Sequence, residues 1–96
     1  MLTSARTFSS GEALAHSLQQ LCGAVVVGET TRGAADHVTP VRVTPVVTAF
    51  LPEAFYVDAT TGTNWEGRGV VPDLPTSEAQ ALPRAVAELR ARRADR

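Results

Sequence analysis

The chain has 96 residues, 44% of them hydrophobic, with ten acids against nine bases and a formal charge of −1. That composition suits one small domain or a piece of a larger one, is too apolar for a disordered segment, and gives no long-range pull toward nucleic acid or an anionic membrane. The lone Cys22 and the widely separated His16 and His37 exclude an intrachain disulfide and a Cys/His metal cluster, and no apolar run approaches the roughly 20 residues of a membrane span.

In chain order, residues 1–4, "MLTS", read as the end of a strand. "MLTSARTF" has no hydrophobic signal core, so nothing within the chain directs export. A helix follows. Leu14, Leu18 and Leu21 recur at i, i+4 and i+7 and define an apolar face, with Ala13, His16, Gln19 and Gln20 on the wetter sides. His16 is two turns from the helix start and is expected at the surface. Gly23 ends the helix, since it has no Cβ to oppose a left-handed cap. "AVVVGE", residues 24–29, is a short valine-rich run expected to form a parallel strand buried on both faces. Strand, helix and strand make a β-α-β unit.

Residues 30–37, "TTRGAADH", read as a polar loop. In "VTPVRVTPVVTAFLP", residues 38–52, β-branched residues alternate, and Pro40 and Pro45 are expected to divide the run into short edge or bulged strands. Residues 57–76 read as irregular, with Asp73 closing a turn. From Ser77 the chain turns helical again. Leu82, Val86 and Leu89 form its stripe, Ser77 or Thr76 its cap, and Pro83 its first turn. Four arginines in the last seven residues form a solvated helix end and tail.

Ser9 admits two readings. Ser9-x-x-Glu12 ahead of a periodic apolar run is the capping-box pattern, worth about 1 kcal/mol. The same position at the positive end of a helix also favours an alkoxide or a developing oxyanion, so Ser9 could instead be a nucleophile if a base and oxyanion donors are supplied.

The stretch "TFSSGEALAHSLQQLCGAVVVGETTRGAADH", with Gly28, Glu29, Thr31 and Gly33 after the valine-rich strand, resembles the serine segment of the tail-specific, or C-terminal processing, serine peptidases. "TGTNWEGRGVVPD", residues 61–73, resembles the closing segment of the family's interphotoreceptor retinoid-binding-protein-like branch. The two motifs stand in the family's order, and the resemblance covers residues 2 to about 90. It implies a partial crotonase-like (Clp protease-like) α/β fold: a short mixed sheet, one long helix after the first strand and a C-terminal helix. Residues 1–90 would be the C-terminal part of the catalytic domain, with residues 91–96 an Arg-rich tail. It further implies peptide hydrolysis with Ser9 as nucleophile, Ser10 at a variable place, a polypeptide substrate and no cofactor. Family members are often exported, and the resemblance leaves open a homo-oligomer or a segment preceding Met1.

The chain departs from the family at one place. Peptidases of the family with a serine–lysine dyad carry the lysine where this chain has Ala34, and all nine bases here are arginine. An alanine methyl cannot take the serine proton, so the base is expected from outside these residues. His37 follows the same loop and reads first as a solvated loop histidine, and alternatively as the base. Glu29 is either an orienting carboxylate or a solvated one, and Gly33 permits a turn with φ > 0. Trp65, with Arg68, would line a substrate or ligand site or plug the core. A second function therefore stays open, a carrier of hydrophobic ligands like some members of the retinoid-binding-protein branch.

Overall fold

The computed structural model describes residues 1–95. Seven elements follow in order: β1 (Leu2–Thr3), α1 (Ser10–Cys22), β2 (Val27–Gly28), β3 (His37–Thr44), β4 (Val47–Ala54), β5 (Leu74–Pro75) and α2 (Glu78–Ala94). β1, β2 and β5 form a parallel sheet in the order β1-β2-β5, with Leu2 opposite Val27 and Val27 opposite Leu74. The expected β-α-β unit is thus present. Each strand is short, and flanking amides lengthen the ladder: Val27 N–H donates to the Met1 carbonyl and Thr76 N–H to the Gly28 carbonyl, both at 2.9 Å. The strands approach closely at Gly28, where φ is 138° and a Cβ would lie 1.9 Å from the Thr3 carbonyl oxygen, so no other residue fits there. Val26 and Val27 are buried, as their valine-rich run predicts.

β3 and β4 pair antiparallel as a separate two-stranded hairpin. The parallel and antiparallel strands therefore do not merge into one mixed sheet. Nor does Pro40 divide its strand: β3 runs through it, and Pro45 stands in the turn. Both strands of a lone hairpin are edges, so a proline is tolerated wherever its missing N–H would point outward. Pro40 lies opposite Phe50 and Pro52 opposite Val38, alternate rungs whose amides face away from the partner strand. The hairpin projects from the rest: the molecule measures 60 × 31 × 15 Å with a radius of gyration of 16.5 Å, against about 12–13 Å for a compact chain of this length.

Both helices bury a different face from the one their leucines mark. On α1, Glu12 and Ala15 are fully buried, whereas Leu14 and Leu21 are 53% and 73% exposed. Ala15 packs with Trp65 and Val70, flanked by Ala13 and Ala35. A small residue is needed where the indole lies against the helix, and Glu12 is drawn in by hydrogen bonds rather than by hydrophobicity. His16, expected at the surface, goes in with them. On α2, which packs on β1 and β2, Ala81 is buried while Leu82 and Leu89 stay exposed. Alanines allow the helix to approach very short strands, leaving the leucine stripe outside. Pro83 is not in the first turn either: α2 starts at Glu78 after Ser77 and continues through Pro83. It also extends through the first residues of the Arg-rich tail, to Ala94. At the end of α1 the expected cap is found, with Gly23 left-handed at φ 64°.

Candidate active site

The site is built around the start of α1. Ser9 has φ 50° and ψ −107° and is the only non-glycine with positive φ among the described residues. For a residue with a Cβ this region is sparsely populated and costs about 1–3 kcal/mol. The surroundings hold it there. Ser9 N–H donates to Glu12 Oε2 at 2.8 Å, and Ala13 N–H donates to the Ser9 carbonyl at 2.9 Å. The Ser9 hydroxyl stands in capping-box position over the Glu12 amide but makes no cap hydrogen bond of good geometry. Ser9 is exposed at this position, and Ser10 N–H has no hydrogen-bond partner among the described residues.

Glu12 is the hub. Its carboxylate, with no exposed surface, accepts from Thr31 Oγ1 at 2.6 Å, Gly33 N–H at 2.5 Å, Ala34 N–H at 2.9 Å and Ser9 N–H. Burial alone would raise its pKa; the donors from Thr31, Ala34, Gly33 and Ser9 outweigh that and hold it below the ordinary glutamate range. Thr31 passes the connection on: its Oγ1 also accepts from Val70 N–H at 2.6 Å, and its own N–H donates to the Val70 carbonyl at 3.2 Å.

The two motifs read separately in sequence are one structure. Trp65 is buried, its Nε1–H donating to the Ala34 carbonyl at 2.9 Å. Gly67 N–H donates to the Gly33 carbonyl at 2.8 Å, and Glu66 Oε2 accepts from the amides of Ala35 and Asp36. Backbones touch here. A Cβ on Gly69, where φ is 78°, would lie 2.2 Å from the Thr31 carbonyl oxygen.

Beside Ser9 lies an open cleft. Phe8 and Ser9 form one wall, Ala34 and Asp36 the floor loop, Val38 and Pro52 the root of the hairpin, and Glu66 the far side. The Arg32 guanidinium lies 5.3 Å from the Phe8 ring centroid. The titratable side chains lining the cleft are the carboxylates Asp36 and Glu66. Ala34, where the dyad lysine of the family would stand, is in it.

The other singled-out residues are placed as follows. Gly33 takes φ 96° beside the amides of Arg68 and Gly69. Glu29 Oε1 accepts from Ala5 N–H at 3.1 Å, on the segment leading to α1 and away from the cleft lining. His37 is exposed, with Nε2 3.4 Å from Glu53 Oε1 across the hairpin, and does not line the cleft. Trp65 packs against His16 and Tyr56, with centroids 5.1 and 4.9 Å away. His16 Nε2 is 2.8 Å from Asp58 Oδ2. That contact, with the Thr61 and Thr60 amides, holds the Asp58 carboxyl below its usual range. Asp73 does more than close a turn: it accepts from Val26 N–H at 2.7 Å and from Gln19, ties that depress its pKa.

Sequence reasoning marked Glu12 only as half of a cap and did not single out Glu66 or Asp58. The capping-box spacing was the one signal for Glu12. Glu66 reaches amides 30 residues or more away, and the His16 partner of Asp58 is 42 residues away, beyond any local pattern; only the Asp58 contacts to the Thr60 and Thr61 amides are local.

The geometry is that of a strained serine at a helix N-terminus, its hydroxyl open to a cleft. The sequence model of peptidase family S41, whose members are serine peptidases, matches residues 1–76, which span Ser9, the Glu12 hub and the Trp65 segment. The chain belongs to peptidase family S41.

Proposed function

We propose that the chain is the C-terminal part of the catalytic domain of a serine peptidase, crotonase-like in fold and closest to the retinoid-binding-protein-like branch, with Ser9 as nucleophile. The observation that carries the reading is the Ser9 backbone. Strain at a single non-glycine residue persists only where its surroundings over-determine it, and such outliers concentrate at reacting groups. A cap alone would need no such conformation, since caps normally lie in the extended region.

In this reading Ser9 Oγ attacks the carbonyl carbon of a polypeptide, and the oxyanion forms at the positive end of α1, where Ser10 N–H is free to donate. The hydroxyl proton goes to a base outside residues 1–95, since Ala34 occupies the lysine place. The carbonyl then re-forms, the amine leaves with a proton, and water resolves the acyl-enzyme. Glu12, Thr31 and Gly33 position the serine without touching substrate. Turnover by these 96 residues alone is accordingly weak or nil. A fluorophosphonate probe, followed by peptide mapping, tests the assignment on the chain joined to its complementing segment. Modification of Ser9, lost in Ser9→Ala, is the expected result; an unreactive Ser9 beside a supplied base would overturn it.

The carrier reading has one observation in its favour, the absence of any lysine to serve as base. Tight binding of an apolar ligand together with an inert Ser9 would favour it. Trp65, expected to line a substrate or ligand site in either reading, has its indole packed against Ala15 and Val70 and so does not discriminate between them.

A further inference from the structure

The root of the hairpin forms part of the Ser9 cleft, and strand alternation shows what continues from it. Val38 lies opposite Pro52, Pro40 opposite Phe50, and Arg42 opposite Thr48, with unbroken register between them. Side chains two residues apart share a face, so Pro40 and Phe50 lie on the same side of the hairpin as Val38 and Pro52. The face is open: Val38 is 45% exposed and Phe50 67%. The cleft therefore leads without interruption onto two apolar rungs, which end at the polar rung of Arg42 and Thr48. At about 3.3 Å per residue, the distance from the cleft rung to the polar one is about 13 Å, the reach of roughly four residues of extended chain.

We propose that this face is the substrate-docking surface: an extended segment of about four residues with apolar side chains lies across Val38, Pro40, Phe50 and Pro52 and delivers its backbone to Ser9. The name substrate rests on the reading of Ser9 as the reacting group. The prolines define the mode of docking. Pro40 and Pro52 each remove one outward N–H from a hairpin edge, which disfavours strand addition there, and the segment is taken to pack over the apolar face. Their rings and Phe50 are rigid and lose little side-chain entropy on contact. The opposite face, with Val41 and Leu51, is also apolar but does not continue into the cleft.

Binding can be read without turnover, so failure here is separable from failure of the Ser9 assignment. The peptide acetyl-Ala-Leu-Val-Leu-amide, titrated to 5 mM into isotopically labelled protein, is expected to shift the Val38 methyl and Phe50 ring resonances and spare those of Val41 and Leu51. Phe50→Glu and Phe50→Thr should weaken binding about tenfold, the equivalent of losing most of one buried aromatic contact. Val41→Glu should leave it unchanged. Absence of binding, shifts confined to Val41 and Leu51, or a second copy of the chain found by light scattering to cover the Phe50 face would each overturn the proposal. Peptide on this face with Ser9 inert to fluorophosphonate would overturn the peptidase reading while leaving a peptide-docking surface.

Discussion

Around Glu12 the segments 31–35 and 65–70 are bound to one buried carboxylate and to each other. The β3–β4 hairpin, in contrast, pairs mainly with itself and leaves Val43, Val46 and Phe50 mostly in water. The first region is specified by directional hydrogen bonds and by glycines at backbone contacts; it tolerates little change. The second is specified by local pairing; its side chains are free to serve a partner. A strained serine needs the first kind of support, and a docking surface needs the second kind of freedom.

The comparison breaks first at its hub. Glu12→Ala leaves Thr31 Oγ1 and three amides without their acceptor and should cost about 4 kcal/mol or abolish folding, as measured by urea denaturation. A cost below 1 kcal/mol would mean that the corner is held by something else. Gly69→Ala should cost about 3 kcal/mol, because its Cβ meets the Thr31 carbonyl and its φ is positive.

Acid should dissolve the same corner. The folded-state pKa of Glu12 lies below its unfolded value, because its four donors outweigh the cost of burial. Its contribution is thus complete above the ordinary glutamate value of about 4.3 and lost as pH falls through the lower folded value. Glu12→Gln should flatten the stability curve in that window, leaving the contributions of Asp58 and Asp73, whose pKa values are also depressed. An unchanged acid limb would show that Glu12 is not the carboxylate being titrated.

Ser9→Gly should raise stability by about 1 kcal/mol by releasing the strained φ, whereas Ser9→Ala keeps the strain and gains nothing. Equal melting temperatures for the two variants would remove the strain from the account of Ser9. The hairpin should respond least: Val46→Ser, at a residue 92% exposed, should change stability by less than about 0.5 kcal/mol.

Much of this was legible in the residues. The parallel β-α-β unit, the Gly23 cap, the burial of Val26 and Val27 and the Ser9 position all follow from patterns a few residues long. The leucine stripes did not reveal the buried faces. Periodicity reports which face of a helix is apolar; which face is covered depends on what lies opposite. Against Trp65 and two-residue strands, alanines fit and leucines do not.

The sequence by itself determined the family, both helices, the strands flanking α1 and the place of the serine, because each is encoded in local spacing; it did not mark β5, whose residues 74–75 read as part of an irregular stretch. Only the tertiary structure decided that Glu12 is a four-fold acceptor, that the Trp65 segment clasps the loop after β2, and that the hairpin root walls the cleft. Those facts depend on groups brought within hydrogen-bond or contact distance across long stretches of chain, where burial makes an unpaired charge costly and a paired one directional.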